Sequence, residues 1–327
     1  MEISQLRTII HVSELGSLSK ASDRLNIAQP ALSRQVRMLE EELGVRLFDR
    51  HGRGMVVTEA GQDVIRHAHR VLGELEEIRG CVSDDNAPLR GHVSIGMPPT
   101  VADILTEPLV KVFSEKHPEA TLRIVSAYSA YLLDWLHRGD VDVAILFEAK
   151  SARSLRSTHL LEEMLHLIGP ASANLNPLQP VRFADLADQR MLLPSGGHGL
   201  RKILEDSSRD AGFELQVSVE TDSYSTLKDL VKSGYGMTIL PIAPIHQDLQ
   251  SGALTHAPLI NPSPVRRLMI SYPADRPTPR LAKFAGNMLA KTAKSLVESG
   301  VWAGHFNGDE NWDYTAATPK SESSRGL

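Results

Sequence analysis

The stretch GSLSKASDRLNIAQPALSRQVRMLEEELG, Gly16 to Gly44, decides how the rest of the chain is read. Gln29-Pro30 opens its second half. Proline is accommodated in the first turn of a helix because its missing N–H has no partner there. Gly44 supplies a stop. A helix from Gln29 to Leu43, laid on a wheel at about 100° per residue, puts Val36, Leu39 and Leu43 within about 40° of Leu32. Pro30, Ser33, Arg34 and Arg37 fall on the opposite side, and Gln29 sits in the first turn. One face is built for packing. The other carries two guanidinium groups, a hydroxyl and an amide, the groups that read base edges in a major groove. The helix N-terminus adds its own attraction for phosphate. The plainer alternative is a solvated face with ordinary arginines.

Upstream, Ile3, Leu6, Ile9 and Ile10 recur at helical spacing and predict a first helix ending near Gly16. Ser17 or Ser19 caps a second helix through Leu25, and Asn26-Ile27 makes a tight connection. Downstream, Val45 to Phe48, the turn Arg50-His51-Gly52-Arg53-Gly54, and Met55 to Val57 read as strand, turn, strand. Residues 1–59 hold eight basic and eight acidic residues, so this unit is neutral. Its charges are unevenly placed. Arg34 and Arg37 lie on the outward face, Arg50 and Arg53 in the hairpin, and Glu40, Glu41 and Glu42 at the far end of the third helix. A recognition helix enters the groove by its N-terminal part, so the acidic end projects away from phosphate. The whole chain has a net charge of −5, which taken alone speaks against a nucleic-acid partner. The placement of the basic residues on one helix face and the hairpin points the other way.

The 327 residues predict about two domains. Residues 58–86 read as one long helix capped by Thr58. Val64, Ala68, Val71, Leu75, Ile78 and Val82 follow an a/d heptad spacing that suits pairing of two chains, with an amphipathic core helix as the alternative. Ser83 to Pro88 reads as a linker. From 90 to about 297, strand and helix alternate in two similar series, which predicts two α/β lobes. The chain crosses between lobes near Leu160 to Ile168 and near Arg266 to Tyr272. Ligands in such sheets bind beyond the carboxyl ends of the strands. Two facing lobes then aim several helix N-termini into one cleft, which suits an anion. Thr100, Ser129 and Ser195 offer hydroxyls there, and Gly196 and Gly197 permit close backbone approach.

The run from Gly16 to Gly44, continued by Val45-Arg46-Leu47-Phe48-Asp49-Arg50 and Thr58-Glu59-Ala60-Gly61, resembles the winged helix-turn-helix of LysR-type transcriptional regulators. Ala28-Gln29-Pro30 and Pro194 to Arg201 resemble the branch of nitrogen- and sulfur-assimilation regulators. Many family members carry Ser where Ala28 stands, so a cap or contact is lost here. The resemblance implies an α/β chain with an N-terminal, mainly-α winged helix-turn-helix (residues 1–57) and a long dimerisation linker helix and hinge (58–89). A two-lobed, periplasmic-binding-protein-like effector domain follows (90–299). Lobe I takes about 90–162 and 267–299, and lobe II about 163–266. In this reading Gln29, Pro30, Ser33, Arg34 and Arg37 face the major groove, and Arg50 and Arg53 meet the backbone or the minor groove. Thr100, Ser129, Phe147, Ser195, His198 and Ser223 form the wall of an effector site. Phe147 stands where some aromatic-acid sensors of the family carry arginine, which points to an apolar portion of the ligand or a different anion.

The partners implied are double-stranded DNA with a dyad operator, a small and anionic effector, and a second chain in a homodimer or homotetramer, with RNA polymerase a further candidate. The rival reading is a regulator of the same fold that answers to no small molecule. No motif of a metal site, a phosphate-binding loop or a hydrolase is present, so no cofactor and no enzymatic role are expected. Cys81 is the only cysteine, which excludes an internal disulfide. No signal peptide or membrane span is read, so a cytoplasmic chain is expected. Residues 300–327 lose periodicity and read as a mobile tail, although Trp302, Phe306, Trp312 and Tyr314 leave docking onto a neighbouring surface open.

Overall fold

A computed structural model describes residues 1–51, 54–80, 89–147 and 154–308. Arg53, Cys81, Val82, the linker to Pro88, Trp312 and Tyr314 lie outside the described residues. The chain divides into two units: residues 1–93 with the short pieces 117–121 and 279–281, and the remainder.

The first unit opens with α1 (Ile3–Leu15), α2 (Leu18–Leu25) and α3 (Gln29–Leu43), followed by β1 (Phe48–His51), β2 (Gly54–Val57) and α4 (Glu59–Gly80). The Ser17 hydroxyl accepts from Lys20 N and caps α2, and left-handed Asn26 ends it. Leu6, Ile9, Val12, Ala21, Leu32, Val36, Leu39, Leu47 and Phe48 meet in one core. Leu43, expected on the buried face of α3, is exposed because the last turn of α3 runs past that core.

The hairpin strands start later than their apolar pattern predicts, at Phe48 rather than Val45. Glu40 is the reason. Its Oε1 accepts from Leu47 N at 2.8 Å and Phe48 N at 3.2 Å, so this stretch is bound to α3 before strand pairing begins. The strands then pair from Phe48↔Val57 to His51↔Gly54. Gly54 is left-handed, with φ of 137°, and a Cβ there would lie 2.4 Å from the Gly16 carbonyl oxygen. Met55 N donates to that same oxygen at 2.9 Å. The wing is thereby fixed on the turn between α1 and α2. Thr58 caps α4 as expected, its hydroxyl accepting from Gly61 N at 3.0 Å.

In the second unit, β3 (Gly91–Met97), α5 (Pro99–Lys116), β4 (Ala120–Ser126), α6 (Ser129–Arg138) and β5 (Val143–Phe147) begin lobe I. Strand β6 (Leu155–Met164) leads out of it. Lobe II follows as β7 (His166–Pro170), β8 (Val181–Arg182), β9 (Met191–Leu193), α7 (Gly199–Asp210), β10 (Val217–Glu220), α8 (Tyr224–Lys232), β11 (Thr238–Leu240), α9 (His246–Gln250) and β12 (Leu254–Ile260). Strand β13 (Val265–Pro273) leads back, and α10 (Arg280–Glu298) and β14 (His305–Phe306) complete lobe I. The lobe I sheet runs β14-β6-β13-β5-β3-β4, and lobe II holds β11-β7-β12-β8 and the pair β10-β9. Every residue of β5 is buried, as its unbroken apolar run Val-Ala-Ile-Leu-Phe requires of a strand covered on both faces. The two crossing strands β6 and β13 lie antiparallel and side by side, with Glu163 opposite Arg266 and Glu162 opposite Arg267.

Residues just beyond α10 depart from the expected mobile tail. Trp302 is 1% exposed, its backbone N–H donates to Leu296 O, Phe306 pairs with Leu161, and Asn307 N donates to Leu160 O. The burial of one indole and a short strand pairing outweigh the polar composition of this segment. Among the described residues, no helix is long and apolar enough to cross a membrane.

Candidate nucleic-acid interface and ligand cleft

Helix α3 presents the face its wheel predicts. Leu32, Val36 and Leu39 are fully buried, while Gln29, Pro30, Arg34 and Arg37 are exposed and Ser33 is half-buried. From the wing, Arg50 Nη2 donates to the Ser33 hydroxyl at 3.4 Å, so hairpin and helix present one continuous polar surface. Arg37 has Glu41 at 3.7 Å one turn on. Both are well exposed, and such a pair constrains the arginine little.

The six positions of the α4 seam separate into two groups. Ala68 is buried in the core of the first unit, with Val64, Ile65 and Leu72 packed against it, so the first heptad serves its own chain. That corrects the expectation of one uniform pairing seam. Val71 and Ile78 are exposed, at 44% and 65%, and Leu75 is half-buried.

In the second unit a cavity lies between the lobes. Its wall includes Pro98, Thr100, Tyr128, Phe147, His198, Tyr224, Leu240 and Arg266. These come from the starts of α5, α6, α7 and α8, the carboxyl ends of β5 and β11, and the crossing strand β13. The water-accessible space within it is small, about 30 Å³.

Of the predicted wall, Thr100, Phe147 and His198 line the cavity, and Ser129, Ser195 and Ser223 do not. Those three serines hold the frame instead, because short hydroxyls at turns find nearby backbone and carboxylate partners first. Ser129 Oγ accepts from Phe147 N at 3.2 Å and fixes the end of β5. Ser195 donates its hydroxyl and its backbone N–H to Asp222, which holds that carboxyl below its usual range. Ser223 caps α8 by accepting from Thr226 N. His198 caps α7, its Nδ1 accepting from Leu200 N at 3.1 Å, with the Tyr128 ring edge-on at 4.4 Å. Burial, with the nearby Arg266 charge, pushes its pKa down to about 4 despite the opposing charge of Asp222. His198 is therefore neutral at physiological pH, with its proton on Nε2.

Sequence reasoning missed the central polar group, Arg266. Only 2% exposed, it donates from Nε to Glu163 Oε1 at 2.6 Å, pairs a second time with the same oxygen through Nη2, and donates from Nη2 to the Thr100 hydroxyl at 3.1 Å. Its guanidinium lies 4.2 Å from the centroid of the Phe147 ring, a cation–π contact. The other Glu163 oxygen accepts from Trp302 Nε1 at 2.9 Å. Phe147 and an arginine thus occupy the cleft together, the arginine coming from a neighbouring strand. The signal was present as two complementary doublets, Glu162-Glu163 and Arg266-Arg267, in the two stretches expected to cross. Opposite charges facing each other on adjacent strands are a register marker.

Comparison with known proteins bears on both halves. Residues 3–62 match the family described as bacterial regulatory helix-turn-helix protein, lysR family, and residues 86–293 match the LysR substrate binding domain. The chain is 28% identical over 305 residues to the HTH-type transcriptional regulator BbuR of Bordetella bronchiseptica, covering 93% of this chain and 94% of that one. It is 33% identical over 242 residues to the nitrogen assimilation regulatory protein nac of Klebsiella aerogenes, covering 74% and 78%. Among solved structures, a mutant of OxyR from Corynebacterium glutamicum is similar with a TM-score of 0.66 at 26% identity, covering 91% of this chain and 95% of that one. A recognition helix and wing in the first unit, two lobes around a cleft in the second, and matches across both place the chain in the LysR family as a DNA-binding transcriptional regulator.

Proposed function

We propose that this regulator is modulated by a small ligand with an apolar body and one anionic head, held between the two lobes. The observation that carries this is Arg266, a buried guanidinium in the cleft wall beside Phe147 and Thr100. The head is met by Arg266, the Thr100 hydroxyl and the neutral His198. The body lies against Pro98, Phe147 and Leu240. The starts of four helices around the cleft favour negative charge further. In the same reading Gln29, Pro30, Ser33, Arg34 and Arg37 read base edges in the major groove of a dyad operator. Arg50 and Arg53 meet its backbone or minor groove. The exposed part of the α4 seam pairs two chains, and pairs of dimers complete a tetramer.

Some relatives are named hydrogen peroxide-inducible genes activators. The test is thermal melting of the full chain with acetate, butyrate and benzoate. Stabilisation that grows with the apolar body and is lost in Arg266→Met supports the proposal. A flat response across the series and across a wider panel of organic anions refutes it.

The alternative, a regulator acting without an inducer, is favoured by one observation. The water-accessible space in the cleft is only about 30 Å³, and Arg266, Glu163 and Thr100 already satisfy one another. In that case operator affinity in a gel shift is the same in extract-free buffer and in the presence of every anion tried.

A further inference from the structure

Residues 301–307 follow α10 and lie beyond residue 293, where the match to the substrate binding domain ends. This segment returns to the crossing strands. Trp302 is buried to 1%, and its indole N–H donates to Glu163 Oε2 at 2.9 Å. The other oxygen of Glu163 holds Arg266 through Nε and Nη2. Arg266 in turn reaches the Thr100 hydroxyl and stacks on Phe147 in the cleft wall. The chain of contacts from the C-terminal segment to the cleft is thus three side chains long and buried throughout. The backbone is tied down as well. His305 and Phe306 pair with Glu162 and Leu161, Asn307 N donates to Leu160 O, and Gly304 passes so close that a Cβ would lie 2.7 Å from Glu162 O.

We propose that residues 301–307 form a strap that controls access to the cleft arginine. Trp302 holds the Glu163 carboxylate in place, the carboxylate holds Arg266 against the wall, and release of the strap frees the guanidinium for an anionic ligand. Trp302 is a positioning residue in this scheme, acting through Glu163. The scheme rests on the cleft being the ligand site, and deepens that reading by giving the site an internal control. A buried carboxylate that loses one of its donors is left with an unmet hydrogen bond, and relieving it requires movement or water. Either brings solvent to the Glu163–Arg266 pair.

The test uses the full chain and needs no effector. Phenylglyoxal, a dicarbonyl probe of accessible guanidinium groups, is applied to the parent protein and to Trp302→Phe, and the modified arginines are mapped by peptide mass spectrometry. Arg156 is the internal reference. It sits on the same strand as Glu163 and donates to Pro273 O, Arg276 O and the Thr278 hydroxyl, so general loosening of lobe I exposes it too. Gly304→Val is a second variant. It presses the strap off Glu162 without removing any core side chain. The strap requires Arg266 modification to rise about tenfold in both variants while Arg156 stays within about twofold. Equal rises at both arginines, or no rise at Arg266, overturn it. If Arg266 is freed selectively and yet benzoate does not stabilise the strap variants, the strap stands and the ligand reading falls.

Discussion

Replacing Arg266 with Met tests whether the buried pair at the crossing strands is a matched unit. The methionine keeps most of the apolar stem and removes the guanidinium. Glu163, 1% exposed, then keeps only the Trp302 N–H as donor and loses its countercharge. Breaking a buried pair by removing one partner costs about 3–5 kcal/mol, because the orphaned charge stays out of water. For a unit of roughly 200 residues, each kcal/mol corresponds to about 2–4 °C in melting temperature, so the effector lobes are expected to melt about 6–20 °C lower. The double variant Arg266→Met with Glu163→Gln removes both charges and leaves Trp302 an amide oxygen to donate to. It is expected to recover at least half of the loss. Calorimetry at pH 7 and urea unfolding followed by circular dichroism give the two measurements. A loss below about 1 kcal/mol, the size of a solvent-exposed pair, rules out a matched unit. So does a double variant no better than the single one.

Arg34→Ala is expected to weaken operator binding and relax sequence preference, each lost bidentate base contact being worth about 1–3 kcal/mol; undiminished specific affinity in a gel shift counts against the assignment of α3. Ile78→Asp is expected to dissociate dimers while each chain stays folded, because Ile78 is exposed on its own chain. Ala68→Asp is expected instead to unfold the first unit. Light scattering and circular dichroism separate the two, and an unchanged mass for Ile78→Asp rejects the seam. His166 is held neutral by burial and by the neighbouring His256, whose Nδ1 lies 3.2 Å from its own, with a pKa pushed down to about 4. The unfolded chain therefore binds one more proton between about pH 6.5 and 4, so stability is full above that window and falls as pH drops through it. His166→Gln is expected to flatten the dependence of melting temperature on pH there by about one proton, and an unchanged slope contradicts this.

The elements that a single periodicity specifies were readable from the residues alone. Helix α3 could be drawn with its buried and exposed faces, because Leu32, Val36 and Leu39 repeat at helical spacing and a proline and a glycine mark its ends. The repeated strand–helix series predicted the two lobes. What escaped was set by side-chain partners that periodicity does not specify, near or far in sequence. Glu40 serves the backbone seven residues on, which moves the wing strands, yet its sequence context reads only as part of an acidic run. Arg266 and Glu163 are 103 residues apart, and nothing local tells a buried arginine in a strand from a surface one. The serines predicted to touch ligand sit beside residues that line the cavity, but backbone and carboxylate partners claim their hydroxyls. Trp302 and Phe306 stood out as aromatics in a polar segment, but what they dock onto depends on the edge of a sheet assembled from five other strands.

The contact between Gly54 and Gly16 has a further consequence for how binding specificity can change. The Met55 N–H to Gly16 carbonyl bond, the close approach that only glycine allows, and the link from Arg50 to Ser33 tie the wing strands to the helices, which in the proposed DNA-bound reading makes them one reading head. Its two probes then have a fixed phase relative to one another. An operator whose neighbouring groove is narrowed or shifted cannot be met by swinging the wing alone. The DNA has to adapt, and the cost of bending or twisting it depends on sequence even at base pairs that no side chain reaches. In that reading part of the operator's specificity is stored as stiffness in a turn, and a methyl group added at position 54 is expected to change which sequences are tolerated without altering any of the residues proposed to face DNA.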